Sequence, residues 1–416
     1  MSRYNRNITI KYSKYIRLNL FRNAKSIIPL LFFILAITGA YSVCKGDCIY
    51  SLTGDLNQDC KVNLYDLVIM ANNWLVDCNS NPQNPACNCN WKAEPPMFTG
   101  RDQFTGGVIN GKIYVFGGNG NPDQVNLAST EVYDPATSQW TQLADNNHNN
   151  NGDGVEELTS AVVNGKLYVF GAYGGIGPSG NYGDINFNEM YNPATNTWTT
   201  LAHKPTLVSG APATVYNGEI YLFGGGYSYD GMIPDSIHYR VVEAYNPTSN
   251  TWRFVTNMPS DREALAVATI GNKAYLFGGV DPNTLQFFDD VITYNFQTGV
   301  WDTNGFEPMP VKRASGYSSA APVINGKVFL ISDVVGVIGN VNKLILTNRV
   351  DIYDTTTNTW HTGTPLPLPL TDQLSLALGS KIYVLGGDNE EVDGTFQNRS
   401  KAEVISISTD PTLCGQ

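Results

Sequence analysis

One phrase, "NGKIYVFGG" at residues 110 to 118, returns five more times along the chain, as "NGKLYVFGA" from 164, "NGEIYLFGG" from 217, "GNKAYLFGG" from 271, "NGKVFLISD" from 325 and "GSKIYVLGG" from 379. Its first closing glycine, or the residue in its place, falls at 117, 171, 224, 278, 332 and 386. A period of 53 or 54 residues held over six copies is the mark of a repeat architecture and takes precedence over any other reading of the fold. Five copies carry a second half, "EVYDPATSQW", "EMYNPATNTW", "EAYNPTSNTW", "ITYNFQTGVW" and "DIYDTTTNTW", in which Tyr precedes Trp by seven residues each time.

Each half reads as a hairpin. Asn-Gly accepts the positive φ angles of a two-residue turn, and the second half turns on Asn/Asp-Pro or on Thr/Asn clusters. Four antiparallel strands per repeat follow. The strand "KIYVF" is apolar on both faces, as a strand covered on each side must be, and the glycines after it allow close backbone approach. Such a unit cannot stand alone, so copies must pack around a common axis, which predicts an all-β, six-bladed β-propeller. The sixth copy lacks a fourth strand, while "NWKAEPPM" at 90 to 97 precedes the first copy and resembles "TWRFVTNMP" at 251 to 259. Trp91 is therefore expected to supply the sixth fourth-strand Trp, with the N-terminal strand closing the ring.

These elements resemble the kelch repeat: Gly-Gly after the second strand, Tyr in the third, Trp in the fourth, and an Arg nine residues ahead of the turn at Arg101, matched by Arg262. The resemblance covers about residues 90 to 410. Departures are Gly171-Ala172, Ser332-Asp333, Ile405 in place of Tyr, and the missing Arg in the repeats beginning near 155, 208 and 370.

The remainder divides at residues 42 and 89. Residues 1–42 hold seven basic residues, no acid and the apolar run "IIPLLFFILAI", which reads as a secretory signal cut after Ser42; about 11 apolar residues fall short of the roughly 20 that a spanning helix needs. No stable membrane span is expected. The whole chain carries a net charge of −11, and loss of the basic leader would deepen this to about −18, a surface that repels nucleic acid phosphates. Export permits disulfides among the seven cysteines, and a bond from Cys414 to Cys87 or Cys89 would staple the closing strand.

Within residues 43–89, Asp55, Asn57, Asp59, Lys61, Asn63 and Asp66 occupy positions 1, 3, 5, 7, 9 and 12 of a calcium loop. Leu64, Leu67, Val68, Ala71, Trp74 and Leu75 follow as an apolar helical stripe. The stretch resembles one calcium-binding half of a dockerin, an EF-hand-like helical module, and the resemblance implies a cohesin-like partner. Cys60 stands where such loops usually have Gly.

Chemistry on the ring is less sharply marked. Some kelch propellers resembling galactose oxidase build a copper site with a Cys-Tyr cross-link, but no Cys lies between 90 and 413, and His148, His203, His238 and His361 show no ligand pairing. The sialic-acid mutarotases, also kelch propellers, imply an Arg and a carboxylate near the axis. Arg101, Arg262 and Arg313 precede inner strands and Asp333 and Asp388 follow them, so both groups could meet at one mouth; kelch arginines often tie blades together instead. The long loops "AYGGIGPSGNYGD" and "GGGYSYDGMIPDSIHY" add Tyr173 and Tyr227 as candidate contacts for a glycan or peptide. The expectation is an exported binding protein that recognises a protein or glycan on its loop face. A sugar epimerase or mutarotase is the alternative.

Overall fold

The structure is a computed structural model that describes residues 90–120, 125–146, 154–176, 182–184, 187–226, 238–315, 321–335, 345–389 and 402–408. These all belong to one compact unit, Cys78–Gln416. The leader, the calcium loop, Tyr227 and all seven cysteines lie outside the described residues.

The fold is all-β and propeller-like. Sheet 1 runs Thr105–Ile109, Lys112–Phe116, Thr130–Asp134 and Gln139–Gln142 from inside to outside, every neighbour antiparallel. The same order recurs from Thr159–Val163 to Thr197–Thr200 in sheet 2, from Ala213–Tyr216 to Thr251–Asn257 in sheet 3, from Ala266–Ile270 to Val300–Asp302 in sheet 4, and from Val323–Ile324 to Thr359–Thr362 in sheet 5. Sheet 6 takes Leu374–Leu378, Lys381–Leu385 and Val404–Ser408 from the end of the chain and its outer strand, Lys92–Glu94, from the beginning. The only helical element among the described residues is the single turn His238–Arg240.

Turn chemistry separates two hairpin types. At 110–111, 164–165, 217–218 and 325–326 both Asn and Gly have positive φ, whereas at Gly271-Asn272 and Gly379-Ser380 only the glycine does; the first is the type I′ signature and the second that of type II′.

Packing follows from the two apolar faces of each second strand. In sheet 1, Ile113 and Val115 face sheet 6 while Tyr114 and Phe116 face sheet 2. Each core cluster lies between consecutive sheets, and one of them joins sheet 6 to sheet 1 through Leu374, Tyr383, Leu385 and Tyr133. Glycine at the end of the second strand is what lets neighbours close. A Cβ on Gly386 would stand 2.4 Å from the carbonyl oxygen of Arg101 in sheet 1. Where Ser332 replaces this glycine, at φ 57°, its hydroxyl instead accepts from Leu370 N and donates to a carbonyl, turning the close approach into a polar joint with sheet 6.

A second joint lies at the opposite end. Asn196, Asn250 and Asn358, two residues before Trp and with φ of 53° to 57°, each accept at Oδ1 from their own sheet's Tyr hydroxyl and from a backbone N–H of the preceding sheet's outgoing linker, Ala144, Ala202 and Glu307. The Trp indole N–H then donates to a carbonyl of that linker: Trp198 to Ala144, Trp252 to Ala202, Trp360 to Glu307 and Trp140 to Pro95. Trp91 does the same to Thr364 at 3.1 Å, so it occupies the place of the fourth-strand Trp in sheet 6 as its sequence context predicts. Sheet 4 departs from this. Gly299 stands where the Asn belongs, the buried Trp301 N–H has no hydrogen-bond partner, and a parallel stack of Tyr216 on Phe296, centroids 4.4 Å apart, occupies that seam instead.

Candidate functional site

Antiparallel order puts the connection from second to third strand and the linker between sheets at one end, the loop end. There the residue after Gly-Gly pairs with the incoming linker: Asn119 with Asp102, Gly226 with Ser209, Val280 with Glu263, Asp388 with Thr371. The next linker residue is left-handed at Gln103, Glu157, Gly210, Ala264 and Asp372. Its backbone reaches the adjacent linker, as Gln103 N to Asp372 O, Leu158 N to Gln103 O, Gly210 N to Glu157 O and Ser315 N to Ala264 O. This chain of linkers forms a rim that carries Asp102, Glu156, Glu157, Glu263, Asp372 and Asp388.

The arginines of the sequence reading lie just below this rim and point away from it. Arg101 is fully buried and donates to Glu131 Oε1 at 2.5 Å, to the carbonyl of Gly117 at 2.9 Å and to Ser129. Burial pulls its guanidinium below the ordinary value while Glu131 pushes it back. Arg262 grips both oxygens of Asp290 at 2.6 Å and lies 4.0 Å over the Phe288 ring. Arg313 pairs with Asp351, which Arg349 also contacts. In sheet 3 a different residue fills the role: Lys204, 3% exposed, sits 2.8 Å from Glu243. Each cation ties the linker that enters a sheet to that sheet's third strand or the residue before it, while the backbone carbonyls of Arg101, Arg262 and Arg313 abut the glycine of the sheet before.

The acids were legible but missed. An acidic residue stands two before the repeat Tyr at Glu131, Glu189, Glu243 and Asp351, and three of these four hold the buried cations. Sheet 4 has Ile292 there and uses Asp290.

With these cations held by acids, the other charged residues of the described rim are carboxylates. Burial raises the Glu156 carboxyl, which hydrogen bonds to Asn126 and Asn119 partly offset and the charge of Asp372 reinforces. Burial alone raises Glu263, and no ion pair among the described residues involves either group. Glu157 Oε2 accepts from Ser209 Oγ at 2.5 Å.

Asp388 lies on the rim, half-buried, and accepts from Asn389 N at 2.6 Å. Gly387 N bonds to Arg101 O at 2.9 Å, so these two candidates are backbone neighbours while the guanidinium goes to Glu131. Asp333 lies in the strand Lys327–Val335 opposite Thr347, and Tyr173 begins the strand Tyr173–Ile176. His203 and His361 are exposed, and among the described residues no group of three or more His, Cys, Asp or Glu could hold a metal. No described helix is long and apolar enough to cross a membrane.

A repeated four-stranded sheet with Gly-Gly, Tyr and Trp in fixed places defines a kelch-type propeller. Residues 39–279 match the family described as the KLHDC2/KLHL20/DRC7 Kelch-repeats domain, and residues 173–404 match the Attractin/LZTR1 beta-propeller. The chain belongs to the kelch-repeat family. It is similar to Alpha-scruin of Limulus polyphemus, 26% identical over 73% of this chain and 32% of that one, and to Kelch-like protein terF of Aspergillus terreus, 25% identical over 69% and 61%. Kelch-like protein 25 of Xenopus tropicalis is 28% identical over 65% and 42%. The chain thus spans from about a third to three fifths of the curated relatives it matches. The solved "Structure of YjhT" shares the fold, with a TM-score of 0.61 at 20% identity over 76% of this chain and 97% of that one.

Proposed function

We propose that this chain is an exported, six-bladed kelch propeller that acts as an interaction scaffold and takes a protein partner on its loop end through that partner's Lys or Arg side chains. One observation carries the reading. The three arginines and Lys204 are held by acids of the sheets they enter, whereas Glu156 and Glu263 on the rim are desolvated and have no cation partner among the described residues. A partner ammonium or guanidinium would supply the missing charge, and such charge-assisted bonds are worth about twice neutral ones. Tyr173, Asp333 and Asp388 belong to the loop-end connections in this reading, while Arg101, Arg262 and Arg313 shape them from beneath; Tyr227 enters on its residue type and sequence position alone. The leader at 1–42 and the calcium loop from Asp55 to Asp66 enter on their residue types and spacing alone, with short side-chain oxygens suited to Ca²⁺.

The test is a peptide array spanning basic, neutral and acidic sequences, run beside a glycan array and a mutarotation assay on the full chain. Basic peptides should bind, and Glu156→Gln with Glu263→Gln should weaken them about tenfold or more without lowering the melting temperature. Binding indifferent to both substitutions overturns the reading. The alternative, a sugar epimerase or mutarotase, draws on the same carboxyls, since burial raises both and a carboxyl can serve as a general acid or base. Turnover abolished by either substitution would favour it.

A further inference from the structure

Sheet 6 is the one sheet among those described whose strands come from both ends of the described chain, and its outer strand is short. Lys92, Ala93 and Glu94 pair with Ser406, Ile405 and Val404, three residue pairs in all. Around them Trp91 Nε1 donates to Thr364 O, Ser406 Oγ donates to Glu94 Oε1 at 2.6 Å, and Tyr133 OH donates to Glu94 Oε2 at 2.7 Å. Most of these partners lie in sheet 6 or the linker before it. None requires the strand to be covalently continuous with the sheet it completes.

The connection to the rest of the chain favours release as a unit. Pro95 and Pro96 follow the strand directly, and consecutive prolines hold the backbone extended and stiff. Met97, 3% exposed, then anchors the chain in the core between sheets 6 and 1, with its N–H on Ala402 O at 2.8 Å. A pivot at Pro95-Pro96 would swing Trp91–Glu94 outward, giving up the bond from Trp140 Nε1 to the Pro95 carbonyl, and leave the backbone from Met97 onward in place. The vacated slot would present the edge of Val404–Ser408, the Thr364 carbonyl, and the hydroxyls of Ser406 and Tyr133. The segment that matches those groups best is the same strand of another molecule, and exchange of an identical element is a low-cost route to association.

We propose that the outer slot of sheet 6 accepts Trp91–Glu94 of a second copy, so that chains associate by exchange of the closing strand. Two full-chain variants, Ala93→Cys and Ile405→Cys, place one cysteine each on facing positions of different molecules. Refolded together and oxidised, they should give a 93-to-405 disulfide between chains, identified by peptide mapping. Its share should rise about tenfold as the chain concentration is raised tenfold at low occupancy, and mixing after folding should give far less. The double variant in a single chain reports whether the two positions can bond. An inter-chain link absent while the intra-chain link forms overturns the proposal. So does a strictly monomeric sedimentation profile of the unmodified chain refolded over the same concentrations. Replacing both prolines with alanine should lower the exchanged share, and an unchanged share would remove the pivot from the mechanism.

Discussion

Replacing Asn250 with alanine tests the joint between neighbouring sheets with a magnitude that can be worked through. Its Oδ1 accepts from Tyr245 OH at 2.7 Å and Ala202 N at 2.8 Å. Tyr245 is fully buried, and burial pushes its phenol up to about 12, so it remains a protonated donor across the physiological range. Losing an ordinary hydrogen bond costs about 1 kcal/mol, and a donor left buried without its acceptor about 1–3 kcal/mol. Alanine at φ 53° adds about 1 kcal/mol, a strain that glycine avoids. Asn250→Ala should therefore destabilise by roughly 3–5 kcal/mol and Asn250→Gly by about 1 kcal/mol less. Urea unfolding followed by Trp fluorescence measures both, with Tyr245→Phe as the partner control. An Asn250→Ala change below about 0.5 kcal/mol, the size of an indifferent surface substitution, would refute the joint.

Four further outcomes are expected. Arg101→Met should cost about 3–5 kcal/mol by leaving Glu131 charged and buried, and Arg101→Met with Glu131→Leu should recover part of it in the same unfolding assay. Gly386→Ala, whose Cβ would meet the Arg101 carbonyl, should destabilise by at least about 2 kcal/mol, whereas Gly379→Ala, at φ 62° in open space, should cost only about 1 kcal/mol. Glu263→Gln should raise the melting temperature at neutral pH: its folded pKa lies above the unfolded value, so the ionised form opposes folding above that pKa, and the gain should vanish as pH falls below the unfolded value near 4. Calcium calorimetry on the full chain should show a site of which Asp55→Ala with Asp59→Ala removes the heat, and heat unchanged by that pair would place the ion elsewhere.

The repeat made the strands, their order and the closing strand legible, because these rest on local signals that recur: Asn-Gly turns, alternating large apolar residues, and Trp91 ahead of a Pro-Pro pair. The site was legible only in part. Arg101, Arg262 and Arg313 read either as ligand groups or as ties within the ring, because a sequence shows where a charge lies along the chain and not which way it points. Their direction is set by Glu131, Asp290 and Asp351, which come 30, 28 and 38 residues later. The Asn two residues before Trp was equally visible at 196, 250 and 358, but its role depends on a linker some 50 residues earlier.

The departures from the repeat are informative for the same reason. Ser332 in place of glycine survives because its hydroxyl finds the Leu370 backbone across the seam, so a steric loss becomes a polar contact. At sheet 4 the substitutions come together: Gly299 removes the bridging amide, Trp301 loses its acceptor, and Phe296 and Tyr216 replace a proline or threonine and an aliphatic residue of the other sheets with a stacked pair. An aromatic pair contributes about 0.5–1.5 kcal/mol beyond its burial, comparable to a hydrogen bond at the same place. The seam between sheets 3 and 4 thus keeps its share of cohesion by apolar rather than polar means. Two chemically different joints can therefore serve one geometry, which is why the spacing of the repeat holds more firmly than its residues.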